Sequence, residues 1–177
     1  HCHDADIIHH LAGITDVPRV KSESNEQHDE KIKIIAEQGT QNILDAMSDK
    51  CKIIMPSSHV IYEGIEKVKN DIREDEKTSP VLAYGKSKDF NEKQLKASGK
   101  NYIILRLGSV YGYSLDTTRI DIMANFFAKT ASQNGVLKLF AGGKQIKSLV
   151  PLIDVARCFK FMEERENLNN QTFNLTK

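Results

Sequence analysis

The passage Val81-Leu-Ala-Tyr-Gly-Lys-Ser-Lys-Asp-Phe-Asn-Glu-Lys-Gln-Leu-Lys-Ala-Ser98, followed by Gly99 and then Tyr102-Ile-Ile-Leu-Arg-Leu107, reads as a helix, a stop and a strand. Residues 81–98 contain no interior proline, and a glycine past the last helical position is a common way to end a helix. Apart from Arg106 the strand is apolar, so it reads as buried on both faces rather than on one. Gly108 and Gly112 follow it.

The same alternation extends in both directions. Upstream, Asp6-Ile-Ile-His-His-Leu-Ala12, ending at Gly13, and Lys52-Ile-Ile-Met-Pro56, closing on Ser57-Ser58, are short buried strands. Between them apolar residues recur at Ile32, Ile35, Ala36, Gly39, Ile43, Ala46 and Met47, the spacing of a helix with one buried face. Gly39 inside that helix costs about 1 kcal/mol relative to alanine, and close packing against a neighbour is the expected reason for it. The polar stretches Lys21 to Glu30 and Glu63 to Pro80 read as exposed loops. Downstream, Ile120 to Gln133 reads as a helix, and Leu137 to Phe140 and Leu149 to Ile153 as short strands around a Gly142-Gly143 turn. Asp154 is the expected N-cap of a helix reaching Glu166, and Thr172 to Leu175 is a last strand. Apolar strands alternating with helices imply an α/β fold, a parallel sheet covered by helices on both sides.

Composition narrows the functional classes. The 177 residues are 40% hydrophobic and 28% charged with a net charge of +1, so neither nucleic acid nor an anionic membrane is expected as a partner. The apolar runs fall far short of the roughly 20 residues that span a bilayer. Cys2, Cys51 and Cys158 are odd in number and widely spaced, which argues against a disulfide framework and for a reducing, cytoplasmic setting. Cys51 and Cys158 read as small apolar core residues. His1, Cys2, His3, His9 and His10 have no second ligand group at finger-like spacing, so no metal site is expected. The mixed charges from Glu66 to Lys77 read as a solvated loop.

Tyr84 and Lys88 lie four residues apart on the helix and share a face. An ammonium there favours the phenolate and lowers the phenol pKa, which suits a proton exchange at a carbinol as a hydride leaves or arrives. On its own the spacing is also that of a solvated helix face. Ser57-Ser58, at a strand end upstream, could bond the reacting oxygen, although a serine pair there also serves as a simple cap. Ligands of open α/β sheets sit outside the carboxyl ends of the strands, where Ser57-Ser58 and the Gly108 segment fall.

The ordered segments His10-Leu-Ala12, Ser57-Ser58 with Ile61-Tyr62, Tyr84-Gly-Lys-Ser-Lys88 and Arg106-Leu-Gly-Ser-Val-Tyr-Gly112 resemble the motifs of the extended short-chain dehydrogenases/reductases, the NAD-dependent epimerase/dehydratase family. Gly39-Thr40 and Asp154-Val-Ala156 are similar to further parts of the pattern. The resemblance implies a Rossmann-like sheet over residues 1–112 that bears the catalytic residues. Over residues 113–177 it implies part of a small substrate domain mixed with the last Rossmann elements. It implies Tyr84 as acid/base, Lys88 as its tuning residue and a ribose ligand, and Ser58 as the third catalytic group. Leu11, Ala12, Gly13, Ser57, Leu107, Ser109 and Val110 would border NAD or NADP, and Ser58, His59, Ser109 and Lys147 a nucleotide-sugar substrate. It also implies a homodimer built on the helices carrying Gly39 and Tyr84.

Some positions depart from the family. Ala36 and Ser109 stand where asparagine is usual, Glu63 where glycine is usual and Lys147 where arginine is frequent. His59 and Val60 occupy the places of the acidic pair of 4,6-dehydratases, so epimerisation or simple oxidoreduction is expected instead of dehydration. A catalytically silent, dinucleotide-binding sensor is the alternative. The family's Gly-x-x-Gly-x-x-Gly turn, which cradles the pyrophosphate at a helix N-terminus, has no counterpart here. The fold is therefore expected to be incomplete, with about 60 residues of a full member preceding His1, and the chain to be a fragment of a longer enzyme. The isolated 177-residue chain is expected to bind NAD(P) poorly and to be poorly active. Calorimetric titration with NAD checks this, and a normal cofactor affinity would contradict it.

Overall fold

Two strands, β2 (Lys52–Ser58) and β3 (Asn101–Leu107), form the centre of the computed structural model, which describes residues 2–15, 25–115 and 119–177. They pair in parallel from Lys52↔Asn101 to Ser58↔Leu107. Strands β1 (Ile7–His9) and β6 (Gln171–Leu175) extend them to a parallel sheet of order β1-β2-β3-β6. A second parallel pair joins β4 (Ser109–Tyr111) to β5 (Leu149–Pro151). Ile53, Ile54, Ile103, Ile104 and Leu105 are completely buried, as the unbroken apolar runs require.

Each face of the sheet has its own core. Ile53, Met55 and Ile104 pack with Leu44 and Met47 of α1 (Glu26–Ala46) and its C-cap, and with Leu95 of α2 (Ala83–Ala97). Ile54, Ile103 and Leu105 pack with Val155, Phe159 and Met162 of α4 (Leu152–Glu163). Cys51 is fully buried in the first cluster, and Cys158 lies half-buried against the second. Helix α3 (Met123–Ser132) lies between β4 and β5 in sequence. Two lysines close helix ends: Lys52 donates to Met162 O and Arg165 O beyond α4, and Lys100 donates to Met47 O beyond α1. Cations there satisfy orphan carbonyls and complement the helix dipole. Among the described residues no helix is long and apolar enough to cross a membrane.

Several elements differ from the reading of the sequence. The first helix begins at Glu26, inside the expected loop, because Asn25 Oδ1 accepts from Gln27 N and His28 N and the first turn is acidic. Lys21 to Ser24 lie outside the described residues. The buried face of α1 is centred on Ile32, Thr40 and Leu44, which leaves Ile35 and Ala46 exposed. Leu137 to Phe140 form no strand, since Leu137 and Leu139 are exposed and no strand pairs with them among the described residues. Pro151, not Asp154, caps α4; Asp154 sits in its first turn, 3.3 Å from Arg157, and the helix ends at Glu163.

Gly39 is also corrected, for a Cβ built there meets nothing within 4 Å. Gly39→Ala is therefore expected to stabilise the fold by about 1 kcal/mol through helix propensity alone. The urea midpoint should rise with an unchanged slope. A loss of stability instead would put a partner molecule against this face of α1.

Candidate active site

The site is assembled at the carboxyl ends of the parallel strands. Leu11, Ala12 and Gly13 leave the end of β1, where His10 N donates to Ile54 O. Ser57 and Ser58 end β2 beside Arg106 and Leu107 of β3, and Ser109 and Val110 open β4. Gly108 allows that last turn: a Cβ there would stand 2.9 Å from Ser148 O, where β4 meets β5.

Helix α2 delivers Tyr84 and Lys88 to this edge. A Cβ at Gly85 would lie 3.1 Å from Val60 O, so the bare glycine lets the first turn of α2 seat against the 3-10 turn His59–Tyr62. Farther along, Asn91 Nδ2 donates to Ala36 O, tying α2 to α1. Tyr84 and Lys88 share a helix face, with Lys88 Nζ 5.7 Å from the Tyr84 ring centroid. Lys88 Nζ also donates to Pro56 O at 2.9 Å, which anchors it to the end of β2. Burial pulls its pKa down to about 8, against the attraction of Glu92. The expected lowering of the Tyr84 phenol is reversed. Burial raises it, the Arg119 guanidinium opposes the rise, and the Lys88 ammonium bonds Pro56 O instead of the phenol oxygen.

The serines divide between the two faces of β2. Ser58 caps the 3-10 turn, its Oγ accepting from Val60 N at 3.4 Å. Ser57 shares the face of Ile53 and Met55, is buried, and donates its hydroxyl to Glu92 Oε1 at 2.6 Å. That bond turns the Ser57 side chain toward α2. His59 Nδ1 lies 3.0 Å from Leu107 O. Since a carbonyl only accepts, Nδ1 carries the proton and Nε2 is left as an acceptor. Burial lowers the His59 pKa further than the Leu107 bond restores it, and exposed Lys147 also lowers it, so the ring is neutral at pH 7.

Three sets of contacts at the site carried no signal in the sequence. His10 is buried with Nε2 3.0 Å from Thr40 Oγ1, and its Nδ1 has no partner among the described residues. Nε2 is therefore the protonated nitrogen, because the other tautomer would bury an unpaired N–H. His9 turns to the opposite face and meets Phe159 edge-on at 5.4 Å. Arg119 reaches Thr15 O after β1 as well as Asp121. The third set is a buried cluster in which Glu92 accepts from Arg106 Nη2 at 2.7 Å and from its Nε at 3.0 Å. Arg106 Nη1 also donates to the Tyr62 hydroxyl and to Glu74 O. Asn174 of β6 completes the clamp, donating to Ile72 O and taking Glu74 Oε1 at its backbone N–H. These bonds order the long loop that leads into Tyr84. An open hollow of about 480 Å³ is lined by Glu26, Gln27, Glu30, Lys31, Ile34 and Ile35 of α1 and by none of the site residues.

Comparison with known proteins agrees with this fold. The family model described as the RmlD substrate binding domain matches residues 1–169. Among solved structures, a UDP-glucuronic acid 4-epimerase from Bacillus cereus in complex with NAD superposes with a TM-score of 0.79 at 23% identity, covering 98% of this chain and 54% of its own. A UDP-glucose 4-epimerase with UDP-glucose from Thermotoga maritima gives 0.79 at 21% identity, covering 97% of this chain and 55% of its own. The Bordetella bronchiseptica enzyme WbmG in complex with NAD and UDP gives 0.75 at 18%, covering 97% and 50%. The chain thus spans about half the length of these structures. No curated protein matches it by sequence.

Proposed function

Because the chain belongs to the RmlD substrate binding domain family, we propose that it is the catalytic part of an NAD(P)-dependent enzyme that epimerises or oxidises a sugar nucleotide. The observation that carries this reading is the Tyr84–Lys88 pair, fixed at the carboxyl edge of a parallel sheet by the bond from Lys88 to Pro56 O.

The residues present suit the cofactor's chemistry. A half-buried ammonium with a single carbonyl partner has two N–H groups left, which match the hydroxyls of a ribose. Lys88 would bind there, with Leu11 to Gly13, Leu107, Ser109 and Val110 along the same edge. NAD or NADP, when bound, supplies the hydride acceptor. Tyr84 Oη takes the proton of the sugar hydroxyl as the hydride leaves and returns it afterwards, and Ser58 Oγ holds that oxygen. The Ser58 hydroxyl is free to do so because its hydrogen bond to Val60 N uses only a lone pair. His59, neutral, offers Nε2 to a substrate hydroxyl and has no proton there to give, which disfavours dehydration. Ser109 and Lys147 would complete the sugar side, with the substrate-facing part falling after residue 112. A cytoplasmic homodimer through α1 and α2 goes with this reading, since Ile34, Ile35 and Phe90 are exposed on those helices.

The test is incubation of the full-length protein with NAD or NADP and a panel of nucleotide sugars, followed by chromatography of the products. Conversion of one sugar nucleotide to its epimer or its oxidised form is expected. The raised phenol pKa of Tyr84 favours the silent alternative. Cofactor binding without turnover on any sugar would establish that alternative.

A further inference from the structure

We infer that Glu92 is a positioning residue for the reacting pair, a buried carboxylate that bolts α2 to the sheet and places its charge one helical turn from Lys88. The inference rests on the proposed function of that site. Glu92 follows Lys88 by four residues, so both lie on one face of α2. It is 2% exposed, and both of its oxygens are occupied. Ser57 Oγ of β2 donates to Oε1, while Arg106 of β3 spans Oε1 and Oε2. Lys96 Nζ stands 3.4 Å from Oε2. One side chain therefore sets the distance of α2 from the two central strands at the ends where the site lies.

A purely structural role explains this cluster poorly. A buried ion pair contributes little net stability compared with an apolar pair of similar volume, because desolvation offsets the attraction. Its placement next to Lys88 matters more. Lys88 is faced by the Tyr84 ring and Glu92 from its own helix, by Pro56 O from β2 and by His10 just after β1. Arg106 stands beyond Glu92, and the neighbouring buried carboxylate, Asp89, is paired with Lys93 at 2.6 Å. Of these groups, Glu92 is the one with an opposite full charge, which favours the ammonium against burial. Tyr84 needs that ammonium in order to reach the phenolate. Removal of the Glu92 charge lowers the Lys88 pKa further, so the positive form is lost at a lower pH.

The experiment is the pH dependence of kcat in the full-length protein and its Glu92→Gln variant, with KM for the sugar nucleotide measured alongside. The alkaline limb is expected to move to lower pH by roughly one unit, with KM changed less than twofold. Should Glu92→Gln fold poorly, Glu92→Gln/Arg106→Met removes both charges, a replacement that buried pairs often tolerate, and must still show an acidward limb, a smaller one because the more remote Arg106 cation is lost with Glu92. An unmoved limb in a folded variant of active enzyme overturns the positioning role and leaves the proposed function standing. A wild-type protein with no turnover overturns the proposed function and this inference with it.

Discussion

Arg106→Ala is expected to destabilise the protein by about 3–5 kcal/mol, the loss typical when one member of a buried ion pair is removed. The guanidinium is 3% exposed, and each of its partners is tied to a different element. Without it, Glu92 keeps a buried negative charge with only Ser57 Oγ and Lys96 Nζ within hydrogen-bonding reach. Glu74 O and the Tyr62 hydroxyl lose their donor at the same time. Native domains are stable by roughly 5–15 kcal/mol, so this single change removes a large share of the total. Replacement of both charges, in Arg106→Met/Glu92→Leu, should cost far less because no charge is left stranded. A urea titration of the three proteins checks the contrast. Equal losses for the single and double variants would mean that packing volume, not the stranded carboxylate, sets the effect.

The sheet was legible because its central strands are nearly unbroken apolar runs, a pattern that only burial on both faces produces. Helix starts were less legible. The first turns of α1 are polar and solvent-facing, so only the Asn25 cap marks the start, and it is embedded in a charged stretch. The segment Leu137 to Phe140 has apolar residues like a strand, but nothing in it specifies a pairing partner.

The candidate residues were chosen from their order along the chain, and that order carries no information on their electrostatics. Four-residue spacing puts Lys88 beside Tyr84, but spacing says nothing of burial, and burial decides the direction for the phenol. Ser57 could have been assigned correctly from β-strand alternation, since it shares its face with Ile53 and Met55 and so points under α2. The Arg106–Glu92 pair had no such local clue. Its partners come from a strand, a helix and a loop brought together by the fold, and a strand arginine in isolation reads only as an interruption.

Tyr84→Phe is expected to lower kcat of the full-length enzyme by roughly 10²–10⁴, the usual contribution of a positioned acid/base. The change deletes one oxygen and keeps the ring, so the contact between Lys88 and the aromatic face remains. The bond from Lys88 to Pro56 O is also untouched, which leaves the proposed ribose ligand in place. Cofactor affinity should therefore stay within about twofold, and KM should change little, because the missing hydroxyl acts chiefly on the reacting proton. Steady-state kinetics and a cofactor titration on the two proteins measure both quantities. A variant that keeps full activity would remove Tyr84 from the chemistry and shift attention to Ser58 or His59. A variant that loses cofactor affinity in parallel with kcat would make Tyr84 a binding residue instead. Loss of kcat alone assigns the proton to the phenol. In that event the raised phenol pKa of the protein without its cofactor marks how much charge the ribose site, Lys88 and Arg119 must together supply to bring Tyr84 into its working range.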